Sequence, residues 1–191
     1  MRTLALAAMV GSADSSDDPS RTIAAARAGD LAAFDQLMRQ YQRPVLATAL
    51  HMLGSLEDAQ DASQEVFLKL YRNLGKLERA DNIPAWLYRV TVNVCHDVGR
   101  KRRPTASVEE AEAVAASDPP DAGDRRRALM LSLRRLSERE RAAVVLRDLE
   151  GLSTEEVARA MGSSEATVRS QISQARVKMR EFLERYFRRR L

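Results

Sequence analysis

The chain has 191 residues, of which 45% are hydrophobic but only 5% aromatic, with a formal net charge of +4 and a single cysteine. That length allows one medium domain or two small ones, with cores built from Leu, Val, Ala and Met. A lone cysteine excludes an internal disulfide and argues against a cysteine-based zinc site, and no window approaches the roughly 20 apolar residues of a membrane span.

Charge is unevenly spread. Residues 104–124 carry six acidic side chains and no basic one, whereas residues 125–191 carry seventeen basic against nine acidic. A basic C-terminal unit behind an acidic connector suits a protein that binds a polyanion.

Residues 1–20 start with Arg2 and a short apolar run, Leu4–Val10, followed by a Ser/Asp-rich stretch. The run is barely long enough for a secretory signal, so a disordered N-terminal extension is expected. Asp30 can cap a helix whose apolar face is Leu31, Phe34, Leu37, Met38 and Tyr41, with a kink or break at Pro44. Ser55 caps the next helix, Leu56–Leu74, in which Leu56, Ala59, Ser63, Val66, Phe67, Leu70, Tyr71 and Leu74 form a stripe. Its outer face crowds Glu57, Asp58, Asp61, Gln64 and Glu65 into the first half, an arrangement that partly complements the helix dipole.

A polar loop, Gly75–Asn82, precedes a helix over Ile83–Arg103. Ile83, Leu87, Val90, Val94 and Val98 give it a buried stripe, and Gly99 is expected to end it early. Trp86, Arg89, Asn93, His96 and Arg100 point elsewhere. Aromatic and basic groups beside a loop suit single-stranded nucleic acid, whose bases stack and whose phosphates need cations. Cys95 and His96, being neighbours, face different sides of the helix, so a packed cysteine and an exposed histidine are expected rather than a metal site.

Pro104–Asp124 reads as a flexible linker, rich in Ala, Pro and acidic residues. Helix resumes at Arg125–Leu136. Ser137 and Glu140 form a capping box that starts a helix through Asp148, with Ala142, Val145, Leu146 and Leu149 inward. Within Leu152–Arg180, LSTEEVARAMGSSEATVRSQISQARVKMR, a second capping box (Ser153, Glu156) opens a helix with Val157, Ala158 and Met161 on its apolar face. Gly162 supplies a left-handed turn, Ser163 or Ser164 caps the second helix, and Val168, Ile172, Ala175 and Met179 recur at helical spacing. Arg169, Ser170, Ser173, Gln174 and Arg176 lie opposite them. This is the helix-turn-helix pattern, in which the second helix enters the major groove. The last helix is expected to run past Phe182 and Tyr186.

The fold class expected is therefore all-α: two small helical domains joined by an acidic flexible linker, the C-terminal one a helix-turn-helix. The boundaries are 1–20 extension, 21–103 first domain, 104–124 linker and 125–191 second domain. No Ser/His/Asp set, phosphate loop or metal spacing appears, so neither an enzyme nor a cofactor is expected.

Two such modules in this order resemble an extracytoplasmic-function sigma factor of bacterial RNA polymerase. In the first module DLAAFDQLMRQY, DAQDASQEVFLKLYRNL and AWLYRVTVNVCHD look like the family's second conserved region. In the second, RLSERERAAVVLRDLEGLSTEEVARAMGSSEATVRSQISQAR looks like its fourth. The resemblance implies a cytoplasmic protein whose partners are core polymerase (its β′ clamp helices and β flap), promoter DNA and an anti-sigma factor of a kind that can be membrane-linked. Nothing in the chain resembles an autoinhibitory domain, so inhibition is expected from that partner rather than from the chain itself.

By the same resemblance, Asp58, Asp61, Gln64 and Glu65 dock on polymerase. Lys76, Arg79, Asn82, Trp86, Arg89, Asn93, Arg100 and Lys101 contact the −10 element. Glu165, Thr167, Arg169, Ser170, Ser173, Gln174 and Arg176 face the −35 element, and Arg176, Lys178 and Arg180 are expected mainly on phosphates. The alternative is a conventional helix-turn-helix regulator that binds duplex DNA without polymerase, but such a protein would carry a ligand or phosphoacceptor domain in residues 30–103.

Overall fold

A computed structural model of the chain describes residues 19–77, 82–101 and 120–188, and among them there are helices and no strand. Residues 1–18 of the expected N-terminal extension, residues 102 and 103 of the expected first domain and residues 104–119 of the expected linker lie outside the described residues, while residues 19 and 20, expected in the extension, open a helix.

The first module comprises α1 (Pro19–Arg27), α2 (Leu31–Leu53), α3 (Leu56–Asn73), a 3-10 turn (Leu74–Lys76) and α4 (Asn82–Lys101). Asp30 caps α2 by accepting from the Ala32 and Ala33 amides, and Ser55 caps α3 by accepting from Asp58. Both caps relieve the orphan amides of a first turn. Helix α2 does not break at Pro44. Proline removes one backbone bond, but burial of Val45 and Ala49 keeps the segment helical.

The second module comprises α5 (Pro120–Arg134), α6 (Glu138–Val144), a π turn (Val145–Leu149), α7 (Thr154–Met161) and α8 (Glu165–Arg188). Helix α5 begins inside the stretch read as linker. Both expected capping boxes form, Ser137 with Glu140 and Ser153 with Glu156. The π turn, closed by the Glu150 amide on the Val145 carbonyl at 3.0 Å, was not foreseen.

Four stripe assignments need correction. Leu31 is 69% exposed, Leu56 37%, Tyr71 55% and Leu149 40%. Each sits at the margin of an apolar arc, where helical spacing alone cannot separate rim from core. Helix α4 departs further. Besides Ile83, Leu87, Val90, Val94 and Cys95, the last packed as expected, it buries Tyr88, Thr91 and Val92. That second stripe faces the other module, so only a narrow strip of α4 meets solvent. Gly99 does not end α4, which continues to Lys101; a Cβ on it would lie 3.4 Å from Glu138 Oε1, so the glycine instead lets the second module approach.

The modules are not separate beads. Helix α4 packs on α7, α2 meets α5 and α6, and one buried cluster runs through both halves.

Candidate nucleic-acid interface

The helix-turn-helix is built as its sequence requires. Gly162 sits at φ 59°, a conformation that costs a side chain with Cβ about 1–2 kcal/mol. Ser164 accepts from the Thr167 amide at 3.2 Å and starts α8. Val168, Ile172 and Ala175 are buried, which leaves Glu165, Thr167, Arg169, Ser170, Ser173 and Gln174 exposed along one face. These six side chains form the surface expected to meet a major groove.

The expected basic residues divide into two kinds. Arg169 pairs with Glu165 at 2.5 Å, but their side chains are 65% and 45% exposed, so the pair is worth only about 0.2–0.5 kcal/mol and opens readily. Arg176 is more committed. Its Nε and Nη2 donate to both carboxylate oxygens of Asp148 at 2.9 and 2.6 Å, and this pairing raises the guanidinium's pKa. Lys178 likewise donates to both oxygens of Glu140, at 2.6 and 2.8 Å. These two cations, expected on phosphates, tie the recognition helix to α6 and the π turn. Arg180 lies exposed one turn beyond Arg176.

Glu140 joins three contacts: the Ser137 amide, the Ser137 hydroxyl and Lys178. Burial by itself would raise its pKa, but the Lys178 and Ser137 hydrogen bonds outweigh it and hold the carboxyl below the usual range. A carboxyl lowered in the folded state contributes stability above its unfolded pKa and loses it as pH falls through the folded one. The second module should therefore melt earlier in acid, below the ordinary carboxylate range. The Glu140→Gln variant should melt lower near neutral pH and show a flatter acid limb, measured by circular dichroism across a pH series.

In the first module, α4 exposes Ala85, Arg89, Asn93, Asp97 and Arg100, with Trp86 half-buried against the core. Arg100 is ion-paired with Asp97. His96 is half-buried rather than exposed. Lys76 lies exposed on the 3-10 turn, and Lys101 is exposed at the end of α4. Arg79 lies outside the described residues, and only the backbone of Asn82, which opens α4, is described. Of the expected −10 set, then, Trp86, Arg89, Asn93 and Arg100 share one strip.

On α3, Asp61 and Gln64 are exposed, Asp58 is partly covered, and Glu65 pairs with Lys69 at 3.1 Å. The same face continues into Leu68, 50% exposed, and Tyr71, whose ring stands edge-on to Phe34 at 5.2 Å. Sequence reasoning missed this apolar continuation. The available signal was Leu68 itself, which falls one position off the buried stripe at i+4 from Gln64. Also missed was a groove of about 320 Å³ in the second module, lined by Leu133, Val144, Leu149, Met179 and Leu183.

Family comparisons match residues 37–105 to Sigma-70 region 2 and residues 126–179 to Sigma-70, region 4. The chain is 37% identical over 163 residues to the ECF RNA polymerase sigma factor SigM of Mycobacterium tuberculosis, covering 84% of this chain and 82% of that protein. The chain is an extracytoplasmic-function sigma factor. It is also 33% identical over 165 residues to the ECF RNA polymerase sigma-E factor of Escherichia coli, covering 78% and 85% of the two chains. Among solved structures, CnrH in complex with the cytosolic domain of CnrY matches with a TM-score of 0.66 at 27% identity, covering 87% of this chain and 98% of that one. The sigma factor RpoE in complex with the anti-sigma factor NepR from Bartonella quintana matches at 0.63 and 26% identity, covering 79% and 96%.

The fold and the two conserved regions make this sigma factor an alternative initiation subunit. Sigma factors direct transcription initiation and are not enzymes. Among the described residues no helix is long and apolar enough to cross a membrane.

Proposed function

We propose that this sigma factor works in the cytoplasm by docking core polymerase on the α3 face and reading promoters with α4 and α8. The observation that carries the reading is the separation of exposed surfaces. Asp61, Gln64, Leu68 and Tyr71 line one helix, Trp86, Arg89, Asn93 and Arg100 a second, and Glu165–Gln174 a third. An acidic face that runs into apolar side chains fits the β′ clamp helices, because its charges steer approach while burial of Leu68 and Tyr71 supplies affinity. The apolar groove beside α8 fits a short amphipathic segment of the β flap. Residues 21–103 act as the polymerase and −10 unit, residues 125–191 as the −35 unit, and the acidic stretch between them runs toward the RNA path.

On α8, Arg169 is the base reader, since bidentate contact to guanine discriminates by about 1–3 kcal/mol. Arg176 acts mainly by holding α8 to Asp148. Across a set of −35 variants, Arg169→Ala should relax preference at one or two positions. Arg176→Ala and Asp148→Ala should weaken every duplex alike. If Arg176→Ala lowers the salt slope by about one unit while Asp148→Ala leaves binding intact, Arg176 contacts phosphate instead.

An anti-sigma partner is proposed from the family and from the two structural neighbours, each solved with a partner chain. Promoter melting tests the whole reading. Permanganate should find unpaired thymines near −10 only when both core polymerase and this chain are present, and Trp86→Ala should cost about 1–3 kcal/mol of that opening. Duplex binding with no effect on polymerase would favour the conventional regulator.

A further inference from the structure

The exposed apolar side chains of the first module are not scattered. Leu31 opens α2 at 69% exposure, and Phe34 follows one turn on. Leu68 and Tyr71, 50% and 55% exposed, stand in the same relation on α3. The Phe34 and Tyr71 rings meet at 5.2 Å, which joins the two pairs into one patch across the α2–α3 hairpin. Only its α3 half belongs to the proposed docking face. A single exposed leucine needs no explanation, but a contiguous patch that extends past the docking face marks a further contact.

The same chain holds an apolar run that fits this patch. Residues 4–10, LALAAMV, contain no charged side chain and precede both conserved regions, so neither region accounts for them. Helix α1 keeps the run close to the patch. It packs along α2, and Arg27 at its end donates to the Gly75 carbonyl at 3.4 Å, four residues beyond Tyr71. The nine residues of α1 rise about 13 Å. The connector, residues 11–18, spans up to about 26 Å, twice that distance. It carries Asp14, Asp17 and Asp18 and no basic side chain, whereas the margin of the patch exposes Arg72 and Lys76. Length, apolar character and charge therefore agree on one occupant.

We infer that residues 4–10 pack on Leu31, Phe34, Leu68 and Tyr71 in the free chain and so compete with core polymerase for the α3 face. The contact is a property of the free chain; its consequence rests on the docking reading above. A short tether gives the segment an effective concentration in the millimolar range, so a modest apolar contact suffices to hold it. Cover for roughly nine-tenths of the time weakens core binding about tenfold, because only the uncovered fraction can dock.

The test uses the full chain carrying Leu31→Cys, with the native Cys95 buried. Its new thiol should react with a maleimide about five- to tenfold faster once Leu4→Ser and Leu6→Asp are added. Both substitutions precede α1, so the melting point should hold, and each rate should be independent of protein concentration. With Leu31 intact, Leu4→Ser and Leu6→Asp together should tighten core binding by a similar factor. Leu31→Ser should tighten it too, although it removes an apolar side chain; a role for Leu31 in docking polymerase would weaken binding instead. Equal thiol reactivity with and without the substitutions overturns the contact. Protection that grows with protein concentration also overturns it and assigns the patch to a second copy of the chain. Protection with unchanged core affinity overturns the competition. A protected thiol in a chain that never binds core keeps the contact and removes the docking reading.

Discussion

Asp61→Arg combined with Leu68→Glu should abolish measurable binding to core polymerase while the helical spectrum and melting point stay near wild type. Both side chains are exposed and neither contributes to the buried cluster, so the fold has little reason to respond. At a docked interface the effects add in kind. Reversing Asp61 replaces attraction by repulsion, and a central charge can cost about 2–5 kcal/mol. Glutamate at Leu68 both removes apolar contact and carries an unpaired charge into the interface. The single variants separate the contributions. Asp61→Arg should slow association and flatten the salt dependence, whereas Leu68→Ala should mainly speed dissociation. Titration of labelled protein with core decides it, and unchanged affinity in the double variant would move the docking face off α3.

The second large effect falls on Glu140. Its side chain is 6% exposed, caps α6 and binds Lys178 with both oxygens. Glu140→Ala removes half of a capping box, at about 0.5–2 kcal/mol, together with a charge-assisted pair that anchors α8. Breaking the pair leaves Lys178 half-exposed rather than buried, which moderates the loss. We expect about 2–3 kcal/mol in total and a shift in melting temperature of several degrees. Duplex −35 binding should weaken in parallel because the recognition helix loses a tether, and Arg176→Ala should be additive with it only if the two anchors act separately. Lys178→Ala, which keeps the cap, should cost less than Glu140→Ala.

Much of this architecture was legible in the residues. Capping boxes at Ser137 and Ser153, the Asp30 cap and the Gly162 turn are local devices, set by side chains within four residues of the backbone they satisfy, and each forms as read. What sequence could not show depends on long-range contact. Tyr88, Thr91 and Val92 look like an ordinary mix until α7 arrives to cover them. Asp148 reads only as the end of a helix and Glu140 only as a capping residue until α8 returns 28 and 38 residues later to place Arg176 and Lys178 against them. The docking face shows the same limit. Its acidic half follows from charge crowding, but helical period leaves Leu68 off the stripe and puts Tyr71 on it, because period says where a residue points and not whether another helix is waiting there. Two domains were expected from the connector's composition; that they share a seam through Met52, Gly54 and Glu150 was outside the reach of any local pattern.

The central claim is that this chain confers promoter choice on polymerase. Run-off transcription of fragmented genomic DNA by core polymerase, with and without the protein, tests it most directly. The account expects a small set of transcripts present only when the protein is added, with start sites preceded by one −35 and −10 pair at constant spacing. Transcripts identical in both reactions, despite demonstrated duplex binding by the protein, would contradict it.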